Sequence, residues 1–326
     1  IAYGGERNAS PKMQEVKFVY QNLTVTVNEN DFEVWNKNLF VNADTFDCMA
    51  YLQRDGVVIA KKILTVSVEP DSKRTYPIPF EIPEYEGEYA VTISFMLKED
   101  KPWAKAGHEV AFGQAVVKKI VKPVKYMAKE KPYTLIRGVY NTCVRGAEFE
   151  VLFSSLNGGL VSYRYAGKEL IEEIPKPNFW RAPVDNDYGN DMPQHYAQWK
   201  IASMYLTHKG AGIRREGVEC PQYENPTVRE EKDYAVITYT YKMPTIPKTE
   251  CQVEYRVYGD GRIKTTLSYD PVKELKDMPE FGMIFKFNAD YDNVEWYGNG
   301  PEETYEDRKE GAKLGIYKNH VMDNMA

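Results

Sequence analysis

Cysteine is scarce in this sequence: Cys48, Cys143, Cys220 and Cys251 lie far apart among 326 residues. That scatter excludes CxxC zinc sites and a dense disulfide framework. Long apolar runs are lacking, and no stretch approaches the roughly 18 residues that a membrane helix needs. Basic blocks are lacking as well. Lys and Arg number 42 against 48 Asp and Glu, a formal net charge of −6. Neutralising phosphates requires clustered Lys and Arg, so nucleic acid is a poor partner. His108, His195, His208 and His320 form no HExxH or other metal spacing, and no GxSxG elbow is present. There is no low-complexity tract and no convincing short repeat. The opening residues, Ile1-Ala2-Tyr3-Gly4-Gly5, carry neither an initiator Met nor a signal peptide and read as part of something larger or processed.

What is present is β-sheet patterning. Hydrophobic residues make up 43% and charged residues 28%, ordinary globular usage that excludes a wholly disordered chain. The length suggests about two domains. Leu23, Val25 and Val27 alternate with polar residues, and Ile237, Tyr239 and Tyr241 alternate with Val236, Thr238 and Thr240, which is a strand period. Asp55-Gly56, Asn157-Gly158-Gly159 and Gly259-Asp260-Gly261 each interrupt such runs and predict hairpins, because these residues accept positive φ at little cost. The 25 tyrosines suit a pleated, half-buried surface, and equally suit stacking on sugar faces.

About seven strand candidates lie between Phe18 and Val121, the size and rhythm of an immunoglobulin-like sandwich. Residues 122–132, with Pro123, Pro132 and five charges, predict an inter-domain linker. Strands resume at Tyr133. Pro193–Tyr205 predicts a helix, with His195, Gln198, Trp199, Ala202 and Tyr205 near one face. A second helix is expected at Pro301–Lys313, with acidic residues at its N-terminus.

Two stretches hold the candidate chemistry. Residues 178–190 read Asn-Phe-Trp-Arg-Ala-Pro-Val-Asp-Asn-Asp-Tyr-Gly-Asn. In extended chain, Asp185 and Asp187 face one side about 6.5 Å apart. Such a pair can bind a cation or do acid–base work on a glycoside. It can equally satisfy loop backbone groups, with Arg181 paired to one of the two carboxylates. If that pair is buried, removing Arg181 strands a carboxylate at a cost of about 3–5 kcal/mol. Trp180 and Asn186 complete the set of contact candidates. The second stretch is residues 296–308, with Gly298, Gly300 and Pro301 forming a turn and Glu303, Tyr305, Asp307 and Arg308 after it. Its acidic residues would repel a phosphate.

The first stretch resembles the RxPxDND signature of the last domain of the bacterial β-galactosidases, glycoside hydrolase family 2. The second resembles the GxGPxExYxDR signature of the same domain, with Asn299, Glu302 and Thr304 departing from the residues common there. Met278–Met283 resembles the segment preceding it. Glu15–Gln21, Trp103-Ala104 and Gly107–Phe112 are similar to the segment leaving the family's barrel and to the last strand of the immunoglobulin-like domain that follows.

The resemblance implies an all-β chain: residues 1–17 as the tail of a barrel, 18–121 an immunoglobulin-like sandwich, 122–132 a linker, and 133–326 a mutarotase-like β-supersandwich, cut short, with one or two short helices. It implies a parent that hydrolyses terminal β-D-galactosides with retention, both catalytic Glu residues lying on the barrel and therefore none in this chain. A retaining pair stands about 5–5.5 Å apart. It also implies that any Mg and Na of the parent sit on that barrel. The partners implied are the N-terminal and barrel domains of the same polypeptide, the galactoside substrate and a homo-oligomer, with neither nucleic acid nor membrane. The compartment, bacterial cytoplasm or periplasm, stays open. Two other classes are weighed beside this one: a free-standing carbohydrate-binding module, with His195 as the only candidate base for mutarotase chemistry, and an adhesion module.

Overall fold

A computed structural model of the chain describes residues 2–3, 7–121, 131–208 and 226–324. Two compact units divide it, Ile1–Val124 with Asp292–Ala326, and Lys125–Tyr291.

The first unit opens with a short strand pair, β1 (Ala2–Tyr3) and β2 (Asn8–Ala9), and helix α1 (Lys12–Val19). Seven strands follow: β3 (Leu23–Val27), β4 (Asp31–Asn36), β5 (Phe46–Arg54), β6 (Val57–Leu64), β7 (Ser72–Pro77), β8 (Gly87–Leu97) and β9 (Glu109–Ile120). They form a three-stranded sheet, β3-β4-β7, and a four-stranded sheet, β6-β5-β8-β9. This is the expected sandwich, and its count of seven matches the strand rhythm read from sequence. Inward residues of both sheets, including Val25, Phe32, Val34, Ala50, Ile93 and Phe95, make its core. Asp55 and Gly56, at φ 50° and 80°, turn β5 into β6 as the Asp-Gly pair predicts.

One stabilising device escaped the sequence reading. Tyr89, fully buried at the start of β8, donates its hydroxyl to the carbonyl of Tyr85 at 2.9 Å. Such a tyrosine corner pins the chain where it enters this strand of an immunoglobulin-like sandwich. A tyrosine four residues after another, before an apolar run, is the signal that carries it.

The second unit begins with an antiparallel sheet, β10 (Thr134–Arg137), β11 (Asn141–Arg145), β12 (Phe149–Ser154), β13 (Gly159–Tyr165) and β14 (Lys168–Glu169). Strand β15 (Lys176–Asn178) follows, then helices α2 (Asp185–Gly189), α3 (Met192–His195) and α4 (Ala197–Tyr205). A second sheet joins β16 (Thr207–His208), β18 (Tyr234–Met243), β19 (Thr249–Tyr258) and β20 (Ile263–Tyr269), with β17 (Thr227–Glu230) also on β18. Strand β21 (Gly282–Ile284) pairs with β15.

Alternation along β18 buries Ile237, Tyr239 and Tyr241 on one side, against Phe153, Leu160, Val253 and Tyr255. The buried Tyr239 and Tyr241 hydroxyls find backbone carbonyls at Ser154 (3.0 Å) and Gly158 (2.6 Å), which satisfies each polar tip inside an apolar layer. The Asn157-Gly158-Gly159 turn joins β12 to β13 as expected. Three short helices stand among the described residues of this unit, where one or two were expected: α2 and α3 span only five and four residues, too few to show a helical period.

The chain then returns to the first unit as a hairpin, β22 (Asn293–Gly300) and β23 (Lys313–His320). No helix forms over Pro301–Lys313, contrary to expectation. There the backbone makes an isolated bridge between Tyr305 and Arg308, and the Glu302 N–H goes to the Gln14 side chain at 3.3 Å. These partners replace the intrahelical bonds. Cys220 and residues 122–130 of the expected linker lie outside the described residues.

Candidate functional site

The two signature stretches lie in different units. In the first, Phe179 anchors the segment. It is fully buried, its ring 6.0 Å from Trp199 and 6.3 Å from Phe281. Its N–H donates to Ser203 Oγ at 2.8 Å, and that hydroxyl donates to the Trp199 carbonyl at 2.9 Å. Asn178 Nδ2 bonds the Trp180 carbonyl at 2.7 Å. Trp180 is half-buried, with Lys200 Nζ 6.0 Å from its ring centre.

Asp185 and Asp187 do not lie in extended chain. Both belong to α2, since Val184 is extended and starts the helix. Asp187 reaches back and accepts the Val184 N–H at 2.8 Å. It also takes both arms of Arg181, Nη1 on Oδ2 and Nη2 on Oδ1, the latter at 2.8 Å. Arg181 thus pairs with Asp187, which is buried; Asp185 and Asn186 are exposed.

The Arg181 guanidinium, with help from the Val184 N–H, holds the Asp187 carboxyl below the usual carboxylate range. A general acid needs the opposite shift. The Arg181 side chain is 36% exposed, so the fully buried figure does not apply. Arg181→Ala is expected to cost about 1–2 kcal/mol, because solvent screens the guanidinium while Asp187 loses its pair. The pH dependence follows from the depressed value. The pair's contribution is complete above the unfolded aspartate range, about pH 3.9, and is lost as pH falls through the lower folded value. Melts of the wild type and Asp187→Asn should therefore differ at neutral pH and converge in acid. A gap that ignores pH would tell against the ion pair as its cause.

The second stretch is a clamp between hairpin and sandwich. Gly298 pairs with Gly315 and Gly300 with Lys313. Gly298 and Gly300, expected in a turn, thus stand in a strand; a side chain at Gly300 would meet the Tyr317 ring at 2.6 Å, which leaves no room for one at this end of β22. Arg308 Nη2 bonds Glu303 Oε1 at 2.6 Å, and its guanidinium lies 4.6 Å from the Tyr305 ring centre. Pro301 begins the loop, and Asp307 is exposed in it. The hairpin is fastened by Gln114, whose amide exchanges two bonds with the Leu314 backbone at 2.6 and 3.1 Å. Lys313 Nζ reaches both oxygens of Glu109, at 2.7 and 2.8 Å. Tyr297 donates to Glu88 at 2.8 Å. That bond, after the stronger one from Lys119, draws the Glu88 carboxyl down.

Among the described residues, no group of three His, Cys, Asp or Glu side chains is placed to hold a metal ion. Among the same residues no helix is long and apolar enough to cross a membrane. His195 is exposed beside the Tyr196 ring. A cleft of about 810 Å³ opens in the second unit, lined by Tyr163, Tyr258, Phe285, Phe287, Arg262 and Lys264 among others. His195 does not line it, and neither signature contributes a residue. The sequence reading missed this cleft.

The chain matches the family model for the β-galactosidase small chain over residues 145–326 and that for domain 4 of β-galactosidase over residues 32–118. It is 38% identical over 313 residues to a β-galactosidase of Clostridium acetobutylicum, covering 96% of this chain and 33% of the relative. A β-galactosidase of Halalkalibacterium halodurans is 36% identical over 332 residues, 98% of this chain and 31% of the relative. The β-galactosidase small subunit of Latilactobacillus sakei is 31% identical over 193 residues, 58% of this chain and 60% of that subunit. The chain thus spans about a third of the length of the first two relatives.

Proposed function

The chain belongs to the β-galactosidase family, and we propose from that premise that it is a non-catalytic part of a β-galactosidase, buttressing the barrel and walling one side of the active-site cleft. The parent would hydrolyse terminal β-D-galactosides with retention, using an acid/base and a nucleophile carried elsewhere in the polypeptide. One observation carries the reading. In each signature one carboxylate is tied to an arginine of the same stretch, Asp187 to Arg181 and Glu303 to Arg308. The Asp187 carboxylate, held ionised by the Arg181 guanidinium, organises a loop; it does not deliver a proton to a glycosidic oxygen. The Mg and Na implied for the parent would be held on the barrel, outside this chain.

The experiment is direct. A pure sample of the chain, given a chromogenic β-galactoside, is expected to release no product above the buffer blank. Sustained turnover proportional to protein concentration would overturn the assignment.

The aromatic cleft favours a second reading, a carbohydrate-binding module. Phe285 and Phe287 stack at 6.2 Å on its wall, and Arg262 lies over Tyr258. Titration calorimetry with galactose separates the two. The scaffold reading expects a flat titration, and saturable heat lost in Phe287→Ala would favour the module.

A further inference from the structure

One end of the first unit displays apolar side chains that a freely exposed surface has no reason to hold in place. Tyr20 is 81% exposed, Leu39 70%, Phe40 90% and Trp103 66%, and Val19 adds 62%. Tyr20, Trp103 and the start of the loop that carries Leu39 and Phe40 meet at one place. Tyr20, Asn38 and Trp103 line the same depression of about 280 Å³; Leu39 and Phe40 follow Asn38, and Val19 precedes Tyr20.

Each ring stands on a fixed pedestal. The loop carrying Leu39 and Phe40 is stapled by Asn36, whose side chain is fully buried. Asn36 Nδ2 donates to the carbonyls of Val41 and Val68 at 2.8 and 2.9 Å, and its Oδ1 accepts the Asn38 N–H at 3.0 Å. Trp103 sits on a loop closed by reciprocal Lys101–Ala104 backbone bonds, with Asp100 accepting the Ala106 N–H at 3.0 Å. Tyr20 caps α1, its N–H on the Val16 carbonyl at 3.1 Å. The next residue, Gln21, is buried and accepts the Phe112 N–H.

Contiguous exposed apolar area marks an interaction site. Aromatic side chains carried on backbone already fixed before contact add little backbone ordering cost on binding, and aromatic residues are the usual anchors of interfaces. Val19 and Leu39 decide the partner's chemistry. Aliphatic chains offer a sugar neither a ring face nor a hydrogen bond, whereas they fit apolar pockets of a protein surface.

We propose that Tyr20, Leu39, Phe40 and Trp103 are the anchors by which this sandwich docks onto the remainder of the β-galactosidase polypeptide. The occupant follows from length: about two thirds of each of the first two relatives has no counterpart in this chain. The inference rests on the scaffold reading given above.

Hydroxyl-radical footprinting tests it, comparing the chain alone with a chimera in which it replaces the matching third of the Clostridium acetobutylicum β-galactosidase. The expected result is reactive Tyr20, Phe40 and Trp103 in the chain alone and labelling about tenfold slower in the chimera, as for rings buried at an interface core. Equal labelling in both overturns the inference. A chimera that hydrolyses galactoside with unprotected rings overturns it while leaving the scaffold reading standing. An inactive chimera with unprotected rings sinks both. Protection in the chain alone that grows with its concentration assigns the surface to a second copy, and protection by added galactose assigns it to a sugar; each overturns the proposal. The combined Tyr20→Ala, Phe40→Ala and Trp103→Ala variant should melt with the parent as an isolated chain, yet lower the temperature at which the chimera inactivates.

Discussion

Gly113→Ala is expected to lower the melting temperature of the first unit by about 10 °C, taking roughly 4 kcal/mol at 2–4 °C per kcal/mol for a unit of this size. A Cβ at residue 113 would stand 2.1 Å from the Val25 carbonyl oxygen and 2.8 Å from the Val25 carbonyl carbon. Both are backbone atoms of β3, an outer strand of the facing sheet. Backbone cannot rotate aside as a side-chain tip can. The methyl group therefore has to push β9 away from β3, the contact at which the two sheets close on each other. Neighbouring Phe112 and Gln21 share that seam through a backbone-to-side-chain bond, so the displacement reaches α1. Gly107→Ala is the control. Its Cβ meets nothing within 4 Å, although its φ is +82°, so it bears only the conformational penalty of about 1 kcal/mol. Calorimetric melts of the two variants decide the matter. A Gly113→Ala transition within a degree or two of the parent would show that the seam yields.

In the second unit the largest expected loss is that of Phe179→Ala, about 3–5 kcal/mol, the range for removing a fully buried phenyl ring. The ring lies between Trp199 of α4 and Phe281, just before β21, so one side chain ties three separated segments to the core. The same residue's N–H is fixed through Ser203 to α4. Truncation leaves those bonds with no ring to hold the segment down. The Arg181–Asp187 pair that follows would then hang from a loosened anchor. Two readings check this: a melt, and limited trypsin digestion, which should begin to cut after Arg181. Trp180→Ala, at a half-buried position, should cost clearly less. Equal losses at 179 and 180 would refute the anchor role.

The sandwich was legible because its information is local. Alternation writes each strand's inward face into every second residue, as along β18, and Asp55-Gly56 names its own turn geometry. The pairing of Arg181 with a neighbouring carboxylate was legible too. That Asp187 is the buried partner was not, since its burial depends on a helix of five residues whose start is set by one extended residue, Val184. The failed helix at 301–313 has the same origin. Its sequence offers acidic residues after a proline, a sound N-terminal pattern, but Gln14 and Glu15, some 290 residues earlier, take the N–H groups of Glu302 and Gly311. Gly113 looks like any glycine in a strand until the facing sheet is present. The exposed anchors carry no signal of exposure: Trp103 enters the sequence reading only through the family resemblance, and nothing in the pattern around Phe40 marks it as a surface ring.

Gln114 joins residues 200 positions apart in sequence, and this has a consequence for synthesis. In order of translation, the second unit is an insert between two pieces of the first. When β9 leaves the ribosome, the hairpin that meets Gln114, Glu109 and Glu88 has not been made. At bacterial speeds of about 5–20 residues per second, the open face of that sheet waits on the order of 10–40 s for the hairpin that bonds to it. The unit begun first is completed last, and any chaperone that attends this chain meets it with that face uncovered.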